Sequence, residues 1–103
     1  MPEQLAREAF ARTLNTQFQV QGNAAGALAL ELIEVSEVRL MPGSESFSIV
    51  FRGPLSTFLP QAFHRFNYDE LGAFELFIVP IRRDDHGFYH EAVFNRMRQE
   101  GWA

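Results

Sequence analysis

The sequence predicts a mainly β domain: a single antiparallel curved sheet or small barrel of five to six strands, with a short N-terminal helix packed at one open side or end. Three observations predict it. Apolar and polar residues alternate over short stretches, as in Phe47, Ile49 and Phe51, which is the period of a half-buried strand. Turn residues punctuate those stretches closely, at Pro42-Gly43, Gly53-Pro54 and Asp69 to Gly72, and strands joined by short turns pair antiparallel. Finally, 103 residues with 47% hydrophobic side chains, eleven of them Phe, suffice for one core and leave no room for a second.

The elements follow in chain order. Pro2 and Glu3 suit a first helical turn, through the fixed φ of proline and the dipole's preference for an acid, so a helix is predicted over about 3–14. It has two candidate faces, Leu5 with Ala9 and Arg12 or the more apolar Ala6, Phe10 and Leu14. Asn15 and Thr16 end it. Phe18 and Val20 then alternate with Gln17, Gln19 and Gln21 in a strand over 17–21, and Gly22-Asn23 with Gly26 supply a turn. Residues 27–40 have helical composition, but Leu28, Leu30 and Leu32 alternate strictly. The alternation slips at Leu32-Ile33 and again before Val38, as an extra residue in a β-bulge would make it slip, so a long bulged strand is predicted.

After the Met41 to Ser44 turn, 46–52 is the cleanest strand pattern in the chain. Gly53-Pro54 stops it, and the connection that follows lies against the core through Phe58 and Leu59. A strand over 61–68 sets Ala62, His64, Phe66 and Tyr68 on one side and Phe63, Arg65 and Asn67 on the other. The strand over 73–81 is apolar on both faces and is therefore expected to be covered on both sides. Arg82 to Gly87 reads as a polar hairpin loop, 88–95 as the last strand, and the rest as a tail in which Trp102 folds back. The predicted core is Leu28, Leu30, Leu32, Phe47, Ile49, Phe51, Phe66, Phe74, Leu76, Ile78 and Phe94.

Composition narrows the function classes. The net charge is -4, and all nine basic residues are Arg, spread among acids without a basic stripe, which disfavours nucleic acid. The cluster Arg96 to Arg98 reads as a solvated tail beside Glu100. Without Cys there are no disulfides, no thiolate zinc sites and no cysteine catalysis. No signal peptide or membrane-spanning stretch is visible, so a cytoplasmic protein is expected.

The stretch from Phe47 to Ile81, followed by Glu91 to Asn95, resembles a family of small uncharacterised bacterial domains, the DUF6916-like domains. The recurring pattern is F-x-L-x-F-x-G-P, then L-P-Q-G, then L-G-x-F-E-L-F-L-V-P-V and E-A-V-F-N. It is met here at Phe47, Phe51, Gly53, Pro54, Leu59, Pro60, Gln61, Leu71, Gly72, Phe74 to Pro80 and Glu91 to Asn95. Leu14-Asn15 with Phe18 is similar to the family's opening. The chain departs at Ala62, where the family usually has Gly, and at His64 and Tyr68. The resemblance implies no known activity. It does imply proximity to phage-tail-like proteins, and hence a structural or assembly partner.

Chemistry has few candidate residues. Asp84, Asp85 and His86, with His90 and Glu91 following, offer metal ligands, but Asp-Asp-His-Gly is ordinary turn composition and no metal or cofactor site is assigned. His64 on its apolar face is expected to be a satisfied, partly buried side chain. It would become a base only if a pocket enclosed it together with Asp69 or Glu91 within hydrogen-bond reach. No catalytic residue is assigned. The function expected is a non-catalytic structural or protein-interaction module, with a small enzyme or ligand-binding protein built around His64 as the alternative. In a domain this small one sheet face is under-covered, which points to a homodimer interface formed by Phe63, Phe77, Val79, Tyr89 and Val93, the alternative being that the barrel closes fully and Phe77 and Val79 meet the helix.

Overall fold

The structure is a computed structural model that describes residues 7–21 and 27–97. The expected helix start at Glu3, the turn at Gly22 to Gly26 and the tail beyond Met97 lie outside the described residues. One helix, α1 (Arg7–Arg12), precedes seven strands: β1 (Gln17–Gln21), β2 (Ala27–Val35), β3 (Arg39–Met41), β4 (Ser44–Gly53), β5 (Ala62–Tyr68), β6 (Gly72–Asp84) and β7 (Gly87–Met97). Every strand pairing is antiparallel. The sheet closes on itself in the order β1-β5-β6-β7-β4-β2 and back to β1, a six-stranded barrel, while β3 extends it along β4. Closure removes the open edges that a curved sheet would expose.

The predicted strand over 27–40 is one path along β4 interrupted twice, and so becomes β2 and β3. The register against β4 shifts between Leu32 and Glu34, at the slip the alternation shows. The second interruption is made by Ser36. Its N–H donates to the Ser48 carbonyl at 2.8 Å, and its hydroxyl accepts the Ser48 N–H at 2.8 Å where a backbone carbonyl would otherwise serve. The Ser36 carbonyl is thereby free to accept Arg7 Nε at 2.6 Å, which ties α1 to the barrel.

The core fills the barrel from the inward-facing alternate residues, and the predicted set is buried apart from Leu28 and Phe74, which are partly buried against it. Phe10, Phe18, Val20, Leu59 and Leu71 join the core. The helix ends at Arg12, before the predicted Leu14, because the Thr13 hydroxyl turns back to the carbonyls of Ala9 and Phe10 and Asn15 takes a positive φ of 68°. Its buried face is Ala9, Phe10 and Thr13; Leu14, expected inside, is 38% exposed. Phe10 plugs the barrel end where β6 and β7 part beyond their Val79 and Glu91 pair, its ring 6.3 Å from Phe74 and 5.4 Å from Phe94. The Asp69 to Gly72 turn forms as expected: Leu71 N–H donates to the Tyr68 carbonyl at 3.0 Å and Gly72 adopts φ 75°, the left-handed conformation that glycine takes without penalty. The strands β6 and β7 run on to Asp84 and from Gly87, so the expected polar loop shrinks to two residues.

Candidate functional site

Period-two geometry decides which side chains leave the barrel. His64 and Phe66 point inward on β5, so Phe63 and Arg65 point outward. Leu76 and Ile78 do the same for Glu75, Phe77 and Val79 on β6, and Ala92 and Phe94 for Glu91 and Val93 on β7. Phe63 and Phe77 are direct cross-strand partners, 70% and 41% exposed. Their rings lie 5.1 Å apart in an edge-on arrangement. Val93 on the next strand is 58% exposed, and Val79 is half-buried opposite Glu91. The outer face of 73–81 is thus open. The helix does not reach this face and closes the barrel end, one of the two places expected for it. Arg65 and Glu75, directly paired across β5 and β6 beside the two Phe rings, are both exposed. Beyond Val93 an open groove of about 420 Å³ continues the face across β4, lined by Ser36, Val38, Ser46, Ser48 and Glu91.

Tyr89, expected in this face, does not belong to it. The extra residue Ile81 shifts the β6 register between Pro80 and Arg82 and places Arg82 opposite Tyr89. The guanidinium carbon then sits 3.7 Å from the ring centroid and the Tyr89 hydroxyl donates to Asp84 Oδ2 at 2.9 Å, so the side chain is buried. Asp84 also accepts the His86 N–H at 2.7 Å. That bond, assisted by Tyr89, holds its carboxyl below the usual 3.8. Asp84, Asp85 and His86 therefore build the hairpin turn. Among the described residues no group of three or more His, Asp or Glu is placed to hold a metal ion.

The other two histidines lie inside the barrel. His64 is 9% exposed, and its Nε2 is 2.9 Å from the Pro60 carbonyl oxygen, so it meets neither Asp69 nor Glu91 in a hydrogen bond. His90, which the sequence places beside the Asp84 to His86 loop, turns inward with Ala92 and Phe94. It is fully buried with neither ring nitrogen hydrogen-bonded, and burial lowers its pKa from the ordinary 6.5, with His64 adding to the effect. The residues sequence reasoning missed as a group are these two imidazoles. The alternation of β5 and β7 had put each on an inward face, but only closure brings β5 and β7 into one interior.

The family model for a domain of unknown function, DUF6916, matches residues 5–94, from the helix to the last core Phe. The chain belongs to the DUF6916 family. No curated protein and no solved structure matches it. In this DUF6916 domain the residues that carried the resemblance are chiefly structural. Gly53 lies so close to Leu30 that a Cβ would be 2.5 Å from Leu30 Cδ2, Leu59 is fully buried, and Pro60 offers its carbonyl to His64. Others lie on the outward-facing row, Phe77, Val79 and Val93 among them. Among the described residues of the DUF6916 domain, no helix is long and apolar enough to cross a membrane.

Proposed function

We propose that the domain is a non-catalytic protein-interaction module that self-associates through the outer face of β5, β6 and β7. The observation that carries this reading is the edge-on pair of Phe63 and Phe77, two cross-strand aromatic rings left exposed on one outer face of the barrel. With side chains of about 150–250 Å² each, the exposed parts of Phe63, Phe77 and Val93 amount to roughly 300 Å² of apolar surface. That is the size of an interface centre, against about 800 Å² per partner for a complete stable interface. Arg65 and Glu75 supply rim charge of both signs. Among the described residues they form no ion pair with each other, and a two-fold contact would set each against its opposite in the second copy. Phage-tail-like proteins enter this reading as a foreign partner class through the family resemblance alone.

The test is sedimentation velocity at micromolar concentration. Wild type is expected to populate a dimer. Phe63→Asp, at a site too exposed to matter to the core, is expected to give a monomer with an unchanged melting temperature. A wild-type chain that stays monomeric at 100-fold higher concentration than the onset expected for micromolar affinity, about 8 kcal/mol of binding, defeats the proposal.

A further inference from the structure

We propose that His90 and His64 form a proton-operated latch on the β4–β5 connection, residues 54–61, so that proton uptake inside the barrel lifts this segment from the barrel end. The inference is independent of the outer-face reading. It starts from His90, whose fully buried ring has no hydrogen-bond partner on either nitrogen. A proton there creates a buried cation with no protein acceptor and no counter-charge beside it, which a packed interior does not accommodate. His64 brings a second imidazole into the same interior, and its charge opposes a charge on His90. The same His64 ring holds the connection itself, through the Pro60 carbonyl.

The surroundings offer no relief. His90 lies opposite Phe51 of β4 and Pro80 of β6, and close to Gly53, where a Cβ would be 3.9 Å from its Nε2. Leu30 of β2 packs on Gly53 from the other direction. The charged neighbours in sequence all leave by the outer face: Arg52 is paired with Glu31 at 2.6 Å, Tyr89 is bonded to Asp84, and Glu91 lines the outer groove. Arg7 and Glu8 belong to α1 at the opposite end. Residues 22–26, between β1 and β2, and the connection, residues 54–61, contain no ionisable side chain. His64 is therefore the one ionisable side chain facing His90 among the described residues.

The connection is the part beside His90 that gives way, because it is held by few bonds. It has no strand ladder. Leu59 is its buried anchor, Phe58 is 52% exposed with its ring edge-on to Phe88, and the one backbone bond within it, Thr57 N–H to the Pro54 carbonyl, is long at 3.4 Å. Segments with few buried contacts open well below the free energy of global unfolding. The connection begins at Gly53-Pro54, beside the His90 ring, so lifting it admits water to the imidazole that needs it.

The chain contains no Cys, so a single introduced thiol reports opening without background. Leu59→Cys is labelled with a pyridyl disulfide, which reacts at acidic pH, at pH 7.5 and pH 5.0, and the rates are normalised to the urea-unfolded chain. The expected result is labelling several-fold faster at pH 5.0, because the open form takes up a proton that the closed barrel disfavours. A control thiol in β6, Leu76→Cys, is expected to show no such increase, and His90→Phe in the Leu59→Cys background is expected to remove it. Equal acceleration at both thiols, which is global unfolding, or acceleration that survives His90→Phe, overturns the latch. Should His90→Phe not fold, wild-type imidazole NMR decides: His90 protonation coincident with shifts at residues 55–61 upholds the proposal, and protonation without them refutes it.

Discussion

Replacing Phe10 by Ala separates a helix that belongs to the barrel from one that merely lies on it. Phe10 is fully buried, and its ring lies 6.3 Å from Phe18, 6.3 Å from Phe74 and 5.4 Å from Phe94, so the substitution leaves a cavity walled by three aromatic rings. These walls sit on β1, β6 and β7, and the closed barrel fixes their positions, so they cannot collapse inward to refill the space. The loss should fall in the usual range for a buried Phe, about 3–5 kcal/mol. A domain of this size has about 5–15 kcal/mol in total. At about 4–8 °C per kcal/mol the melting temperature drops by roughly 12–40 °C. Urea titration followed by far-UV circular dichroism measures it, with Leu14→Ala as the control: that side chain is 38% exposed and is expected to change stability by no more than about 0.5 kcal/mol. A loss below about 1 kcal/mol for Phe10→Ala would show that the barrel end closes without the helix, and the reasoning from Phe10 as a plug would be wrong.

Gly87→Ala is expected to cost about 3 kcal/mol or more, since Gly87 has φ 150° and an added Cβ would overlap the carbonyl oxygen of Gly53, a backbone atom that the β4–β7 ladder holds in place; a near-neutral denaturation midpoint would contradict that register. Ser36→Ala should cost about 1–2 kcal/mol and speed hydrogen exchange at the Ser48 amide, because the hydroxyl that accepts this N–H is lost. Stability should be greatest above about pH 7.5 and fall as pH drops through 6.5 toward the lowered folded-state value of His90: in that window the unfolded chain binds the proton and the folded chain does not, so stability rises with pH. Urea midpoints between pH 5 and pH 8 check this, and a slope unchanged in His90→Gln would assign the dependence elsewhere.

Much of the fold follows from local rules. The inward residues of β4, β5, β6 and β7 are those that a period of two marks, because a strand sends successive side chains to opposite faces wherever it sits. The turns at Pro42-Gly43 and Asp69 to Gly72 follow from residues that set their own dihedrals, and the bulge at Ile33 from two apolar residues side by side in an alternating run. The exposed pair Phe63 and Phe77 was legible as an outward-facing pair on the same grounds.

What the sequence alone did not determine depends on partners distant in the chain. Nothing local says that β1 lies against β5 or that β2 meets β4, yet those two pairings close the barrel and make a single interior. Closure puts His64 and His90 in one interior, while Phe10 of α1 goes to the barrel end and Phe77 on the outer face stays in solvent. Tyr89 is the opposite case: its place on the strand predicted exposure, but one extra residue at Ile81 brought Arg82 over its ring. A residue's face is set by its own backbone, whereas what lies above that face is set by chain folded back from elsewhere, and only the tertiary structure decides it.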